Sequence, residues 1–238
     1  MGEKVFMQGN AALSESAIRA GCKMFFGYPI TPSSEMPEYY AAEAPKRDLV
    51  FVQAETEVAA FNMIAGAAAA GKRAMTGTAG PGFSLGQEAM SYMAAAGLPA
   101  VVVNVMRPGP ADGEILGSQG DYFQAVKGGG HGDYNVICMT PYSVQEQADM
   151  IQEAFDLAEK YLNPVIVLTD ATLAKMRESV VLPDEVTPKD ISFPGAVTGA
   201  KNREHNVITT CGDGPAQWEA FNLRLQEKYS KIRENEQK

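Results

Sequence analysis

The run AVVVNV at Ala100–Val105 has almost no polar face, and it sits in a chain where such short strand-like stretches alternate with helical patterns. A strand with one wet face alternates apolar and polar residues, whereas a strand apolar on both sides is covered on both. The rhythm repeats. Lys23–Gly27, Leu49–Gln53, Arg73–Thr76, Val136–Met139 and Pro164–Thr169 read as strands, and Ala11–Ala20, Ser33–Glu43, Glu55–Ala70, Gly82–Ala95 and Val144–Tyr161 as helices. Helices alternating with buried strands predict an α/β fold, a mainly parallel sheet with helices on both faces.

The pattern changes after about Leu182. Pro183–Gly199 is punctuated by proline and lacks periodicity, which predicts a linker running over the surface. Gln217–Lys238 is compatible with a helix but highly charged, so it docks on something or stays mobile. The expected division is one α/β domain over residues 1–182, then a linker and charged C-terminal arm over 183–238. No internal repeat is present.

Composition narrows the class. With 45% hydrophobic residues in 238, global disorder is excluded. The net charge of -9 and the lack of any Lys/Arg block argue against nucleic acid or an anionic membrane surface as partners. The longest apolar stretches, Ala65–Ala70 and Leu98–Val103, fall far short of the roughly 20 residues that span a bilayer. MGEKVFMQGN carries no apolar signal region, so a cytoplasmic protein is expected. Cys22, Cys138 and Cys211 are far apart, no C-x-x-C exists, and the histidines are His131 and His205. They read as buried reduced thiols, with no metal site in this chain and any redox centre elsewhere.

Four constellations follow predicted strands, where ligands of parallel sheets bind. In Gly27–Glu35, GYPITPSSE, two prolines hold Tyr28 and Thr31 extended and present the Thr31 hydroxyl from a rigid support, with Ser33 or Ser34 capping the next helix. An ordinary Pro-rich turn is the plain alternative. In Glu55-Thr56-Glu57, Glu55 suits a first-turn charge facing the helix dipole. Burial of Glu57 would raise its pKa and let it share a proton with a ligand nitrogen. Thr76–Ser84, TGTAGPGFS, spaces its glycines G-x-x-G-x-G, which is neither the dinucleotide fingerprint nor a P-loop. Close backbone approach to a polar ligand edge and tight helix packing both explain it. Arg107 ends a strand and can grip a carboxylate with two parallel hydrogen bonds or form a surface salt bridge. The glycine-rich loop Arg107–Tyr134, with QGDY and KGGGHGDY, is long enough to read as functional, and His131 is either titratable near neutrality or structural.

In this order, GYPITPSSE and ETEVAAFNMIAGAAAAGKRAMTGTAGPGFSLGQEAMSYMAAAGLPAVVVNVMRPGP resemble the pyrimidine-binding domain of thiamine diphosphate enzymes. More narrowly they resemble the alpha subunit of 2-oxoacid:ferredoxin oxidoreductases with separate small subunits. The resemblance runs from about Val5 to Pro183, and YPITP is its most specific mark. KGGGHGDY followed by SVQEQ is similar to the branched-chain (2-oxoisovalerate) members, with the 2-oxoglutarate members close behind. The resemblance implies coenzyme A-dependent oxidative decarboxylation of a 2-oxoacid to acyl-CoA and CO2, with electrons passed to ferredoxin.

It also implies roles. Glu57 would be catalytic, bonding N1′ of the cofactor's aminopyrimidine and favouring the imino tautomer that deprotonates the thiazolium C2. Tyr28, Pro29, Ile30, Thr31, Gly80 and Phe83 would join it in holding the cofactor, and Thr31 and Arg107 would hold the substrate carbonyl or carboxylate. Thiamine diphosphate would be shared with a beta subunit carrying the diphosphate-binding domain and Mg2+. Fe-S clusters would lie on a ferredoxin-like subunit, a gamma subunit would complete the assembly, and coenzyme A would be the co-substrate. Cys211-Gly212-Asp213-Gly214 resembles the start of the Gly-Asp-Gly diphosphate motif but lacks its second, Asn-bearing segment, so it reads as a turn. Alpha chains of this type usually continue into another α/β domain, so the expectation is a truncated chain or a missing domain supplied by another polypeptide. Two rival readings are a subunit of a split non-oxidative decarboxylase and a non-catalytic α/β binding module.

Overall fold

The computed structural model describes residues 4–186, 191 and 193–237. The strands are β1 (Lys4–Gln8), β2 (Met24–Gly27), β3 (Val50–Gln53), β4 (Ala74–Thr78), β5 (Val101–Met106), β6 (Ile137–Met139), β7 (Val165–Asp170) and β8 (Arg177–Val181). The helices are α1 (Gly9–Arg19), α2 (Glu35–Glu43), α3 (Glu57–Ala69), α4 (Pro81–Leu85), α5 (Gln87–Ala96), α6 (Tyr122–Lys127), α7 (Val144–Tyr161), α8 (Ala171–Lys175) and α9 (Pro215–Glu236).

Six strands form one parallel sheet in the order β3-β2-β4-β5-β7-β6. Side chains alternate across it, as the pleat requires. Val101, Val103, Val105, Val165 and Val167 face one apolar cluster with Leu13 and Ile18 of α1, Tyr40 of α2 and Phe155 of α7. Val102, Ile166 and Leu168 face the other, with Phe61 and Ile64 of α3 and Met90 and Met93 of α5. Each such buried aliphatic side chain contributes about 1.5–3 kcal/mol. The fold is thus the expected parallel sheet with helices on both faces.

The chain leaves β2 toward β3 on one side and leaves β4 toward β5 on the other. The neighbouring carboxyl ends of β2 and β4 therefore form a topological switch point, the crevice where open parallel sheets take ligands.

Several local expectations are corrected. Gly82–Ala95 is two helices rather than one, meeting at Gly86, where a Cβ would stand 2.3 Å from the Phe61 ring of α3. Neither Ser33 nor Ser34 caps α2: the Ser33 hydroxyl donates to the Ile30 carbonyl at 2.7 Å, and Ser34 makes no side-chain cap bond. β1 and β8 were not legible as strands; they pair antiparallel from opposite ends of the domain over Val144 and Ala148 of α7. Of the cysteines, Cys22 is buried, Cys138 half-buried and Cys211 exposed, so only the first meets the expectation fully. Burial pushes the Cys22 and Cys138 thiols up to about 12.

The stretch read as a surface linker is tied down where it is described; its residues 187–190 and 192 lie outside the described residues, as do 1–3 of the N-terminal segment. The Ile191 amide donates to the Gly71 carbonyl at 2.7 Å and the Val197 amide to the Ala69 carbonyl at 2.8 Å, with Ile191 and Ala196 buried. Val207–Thr210, strand-like in sequence, is irregular. The charged arm docks: Tyr229 of α9 is buried, Lys228 donates to the Leu162 carbonyl at 3.2 Å, and Lys160 pairs with Glu236 at 2.6 Å. Among the described residues no helix is long and apolar enough to cross a membrane.

Candidate active site at the carboxyl ends of four strands

The segments that follow β2, β3, β4 and β5 converge at the switch point. Gly80 adopts φ +45, a conformation that L side chains rarely reach, and a Cβ there would stand 3.1 Å from Nε of Arg107. A Cβ on Gly82 would lie 2.3 Å from Oε1 of Glu57 and 2.4 Å from Oγ1 of Thr78. The two glycines therefore let Glu57, Thr78 and Arg107 lie closer to the backbone than any side chain would allow.

Arg107 leaves β5 buried, at 8% exposure, and its Nη1 donates to the Thr31 carbonyl at 2.7 Å. Its Nη2 lies 3.8 Å from the carboxylate of Asp112. The β2 turn is braced from α1 as well: Asn10 Nδ2 donates to the Pro32 carbonyl and to Oε2 of Glu35, both at 2.8 Å. The Thr31-Pro32 peptide is cis.

Glu57 is the first residue of α3, just after Thr56, whose side chain accepts from the Ala59 amide at 3.2 Å. A helix N-terminus and a nearby guanidinium both favour an ionised carboxylate. Burial opposes them and wins: Glu57 is 5% exposed, and its carboxyl is held above the usual carboxylate range against the pull of Arg107. Glu57 Oε1, Thr78 Oγ1 and Arg107 Nε have no hydrogen-bond partner among the described residues. Buried polar atoms in native proteins are almost always paired. Three orphans against one glycine turn fit the polar edge of a planar heterocycle, with a protonatable ring nitrogen facing Glu57.

The structure brings Thr31, Glu57, Gly80 and Arg107 together. Tyr28 and Pro29 are exposed on the same turn and Ile30 is half-buried. The Phe83 ring is fully buried in the cluster with Phe61, Met90 and Met93, so it packs in the core. Glu55 precedes the cap and is exposed; the first-turn charge is Glu57 itself. Thr78, Asn10 and Asn104 were not singled out from sequence, because a buried strand Thr and a helix Asn carry no motif.

The glycine-rich loop splits in two. Asp121 accepts from Asn104 Nδ2 at 3.0 Å, beside the site. His131, Asp133 and Tyr134 instead line a cavity of about 500 Å³ against Trp218 and Phe221 of α9, to which Glu57, Thr31 and Arg107 do not contribute. Among the described residues no cluster of three His, Cys, Asp or Glu could hold a metal ion.

Residues 15–238 match the family described as "Pyruvate flavodoxin/ferredoxin oxidoreductase, thiamine diP-bdg". The chain is 50% identical over 230 residues to the ketoisovalerate oxidoreductase subunit VorB of Methanothermobacter thermautotrophicus, covering 97% of this chain and 65% of that one. It is 48% identical over 187 residues to the 2-oxoglutarate synthase subunit KorA of the same organism, covering 78% of this chain and 50% of that one. A solved 2-oxoglutarate:ferredoxin oxidoreductase from Magnetococcus marinus, with 2-oxoglutarate, coenzyme A and succinyl-CoA bound, matches with a TM-score of 0.90 at 31% identity. That match covers 100% of this chain and 46% of the other. The chain thus spans less than two thirds of the length of these relatives.

Proposed function

Because this chain belongs to the pyruvate flavodoxin/ferredoxin oxidoreductase thiamine diphosphate-binding family, whose fold its parallel sheet reproduces, we propose that it is the pyrimidine-holding part of a branched-chain 2-oxoacid:ferredoxin oxidoreductase. Its reaction would be the coenzyme A-dependent conversion of a 2-oxoisovalerate-like acid to acyl-CoA and CO2. The single observation that carries the reading is the orphaned Glu57 Oε1, facing Thr78 across Gly82 with Arg107 alongside.

In this reading Glu57 bonds the N1′ nitrogen of thiamine diphosphate, and its raised pKa lets it pass a proton to and from that nitrogen. When bound, that cofactor would supply the electron sink that decarboxylation of a 2-oxoacid requires. Arg107, already half committed to the Thr31 carbonyl, offers its remaining N–H groups to the substrate carboxylate. The Thr31 hydroxyl faces the substrate carbonyl, and Tyr28, Pro29 and Ile30 wall the site. Gly80 lets the backbone approach the ring, while Phe83 supports that backbone from the core.

The rest of the chemistry belongs to partners: a beta subunit with the diphosphate site and Mg2+, a ferredoxin-like Fe-S subunit, a gamma subunit, and ferredoxin as acceptor. The division into a pyrimidine-binding unit over 1–182 and an arm over 183–238, and a cytoplasmic location, are part of the same proposal. Similarity to the ketoisovalerate subunit at 50% identity favours a branched acid; the 48% to a 2-oxoglutarate subunit makes 2-oxoglutarate the second reading.

The test is to purify the assembly through this chain and follow viologen reduction with coenzyme A and each of 2-oxoisovalerate, 2-oxoglutarate and pyruvate. Fastest turnover with 2-oxoisovalerate is the expected result. A preference for 2-oxoglutarate selects the second reading, and reduction with none of the three in a thiamine-free assembly overturns both.

A further inference from the structure

Asn10, the second residue of α1, has none of its surface exposed. Asparagine is a weak helix former and costly to bury, and an apolar side chain of similar size would spare both costs. Its bonds are not local. Nδ2 donates to the Pro32 carbonyl, 22 residues on, and to Oε2 of Glu35, while Oδ1 has no partner among the described residues.

The helix start that carries Asn10 is itself pinned. The Gly9 amide donates to the Met176 carbonyl, just past α8, at 3.0 Å, and a Cβ on Gly9 would stand 2.0 Å from the Leu173 carbonyl oxygen. The Gly9 carbonyl accepts from Nε2 of Gln147 on α7 at 2.9 Å, and Oε1 of Gln147 accepts from the Thr169 hydroxyl of β7 at 2.7 Å. Gln147 and Thr169 are both buried, so this chain of bonds runs through the interior from the central sheet to α1. Water does not compete with it there.

At the far end lies the turn after β2. Its Pro32 carbonyl is held by Asn10, and the carbonyl one residue earlier, that of Thr31, is held by Nη1 of Arg107 at 2.7 Å. Two consecutive carbonyls are thus tethered to different elements. Because one N–H of the planar guanidinium is spent on the Thr31 carbonyl, the direction of its other N–H groups follows that carbonyl.

We propose that Asn10 is a positioning residue acting through the Pro32 and Thr31 carbonyls on Arg107, setting where the rest of its guanidinium points. That the guanidinium meets a substrate carboxylate rests on the reading above; the tether belongs to this chain's own residues.

The experiment compares wild type, Asn10→Leu and Ser14→Ala. The last removes another buried hydrogen bond of α1, from the Ser14 hydroxyl to the Asn10 carbonyl at 2.8 Å, and leaves the turn alone. In the full chain without partners, Asn10→Leu should quicken amide hydrogen exchange over residues 27–35 about fivefold, the worth of roughly one neutral hydrogen bond, and Ser14→Ala should not. In the assembly purified through this chain, Asn10→Leu should raise KM for the faster of 2-oxoisovalerate and 2-oxoglutarate by a similar factor, with a smaller change in kcat. In an Arg107→Lys background, which lacks the fork, Asn10→Leu should add little to KM. Unchanged exchange over 27–35, an unchanged KM beside quickened exchange, or a KM raised equally by Ser14→Ala would overturn the proposal. If Asn10→Leu does not fold, Asn10→Ala carries the same comparison. An assembly that turns over no oxoacid would remove the substrate reading, while exchange quickened over 27–35 alone would still support the tether.

Discussion

Two glutamates of this chain are almost equally buried, Glu15 at 6% and Glu57 at 5% exposure, and their surroundings are opposite. Glu15, on α1, is matched on both oxygens: Arg19 donates to Oε1 at 2.7 Å, and Arg47 and Tyr39 donate to Oε2 at 2.7 and 3.0 Å. Glu57, on α3, has an oxygen with no partner, packed against Gly82 where no other residue would fit. Burying a charge is costly unless it is paired. The first carboxylate is paired within the chain and ties α1 to the α2–β3 connection. The second is left unpaired, and its pKa rises as a result. Depth of burial does not separate these two acids; the inventory of partners does.

The contrast can be broken most forcefully at Gly82. Gly82→Ala puts a methyl group into the space that Glu57 and Thr78 share, and displacement of reacting groups by about 1 Å costs on the order of 10²-fold in rate. Turnover of the assembled enzyme should fall at least that far, with the circular dichroism of the chain retained. Full activity would show that the cofactor ring lies elsewhere.

Glu15→Gln is the reciprocal change. Removing one partner of a buried ion pair costs several kcal/mol, discounted here because Arg19 and Arg47 are partly exposed. A loss of about 2 kcal/mol is expected in urea unfolding, with turnover per folded molecule unchanged. A variant that melted normally but lost turnover would invert the comparison.

At Arg107 the change to Lys keeps the charge and removes the planar fork. KM for the oxoacid should rise about tenfold, the value of roughly one charge-assisted hydrogen bond, with a smaller change in kcat. An unaltered KM would take Arg107 out of the substrate's reach.

The smallest effect is on stability at Glu57 itself. Glu57 titrates at a higher pH folded than unfolded, so its cost is absent below the ordinary carboxylate value and grows as pH rises through the folded pKa. Glu57→Gln should therefore stabilise the chain by about 1 kcal/mol at neutral pH and by less as the pH falls through the carboxylate range. Destabilisation at neutral pH would mean that Glu57 is paired like Glu15.

Much of this was legible in the sequence because parallel-sheet strands announce themselves. VVVNVM and VIVLT are apolar on both faces, and that places six strands and the helices between them. The GYPITP and AGPG segments could be assigned to strand ends for the same reason, and the family resemblance then ordered Glu57, Thr31 and Arg107. What was not legible depended on contacts between distant segments. β1 and β8 are short and pair across nearly the whole chain. The need for glycine at position 86 shows only when Phe61 arrives from α3. Thr78 and Asn104 come together only when the β4–β5 register sets them side by side. Glu55 and Glu57 differ by two positions, and Thr56 taking the cap decides which one opens the helix.

The central claim is that Glu57 exchanges a proton with the thiamine ring. It is tested most directly by the rate at which the C2 hydrogen of bound thiamine diphosphate exchanges with deuterium, quenched and read by NMR in the assembled enzyme. With cofactor occupancy matched, Glu57→Gln should slow that exchange by about 10²–10⁴-fold, the contribution of a positioned acid–base group. Equal exchange rates in the two proteins, both fully loaded, would contradict the account.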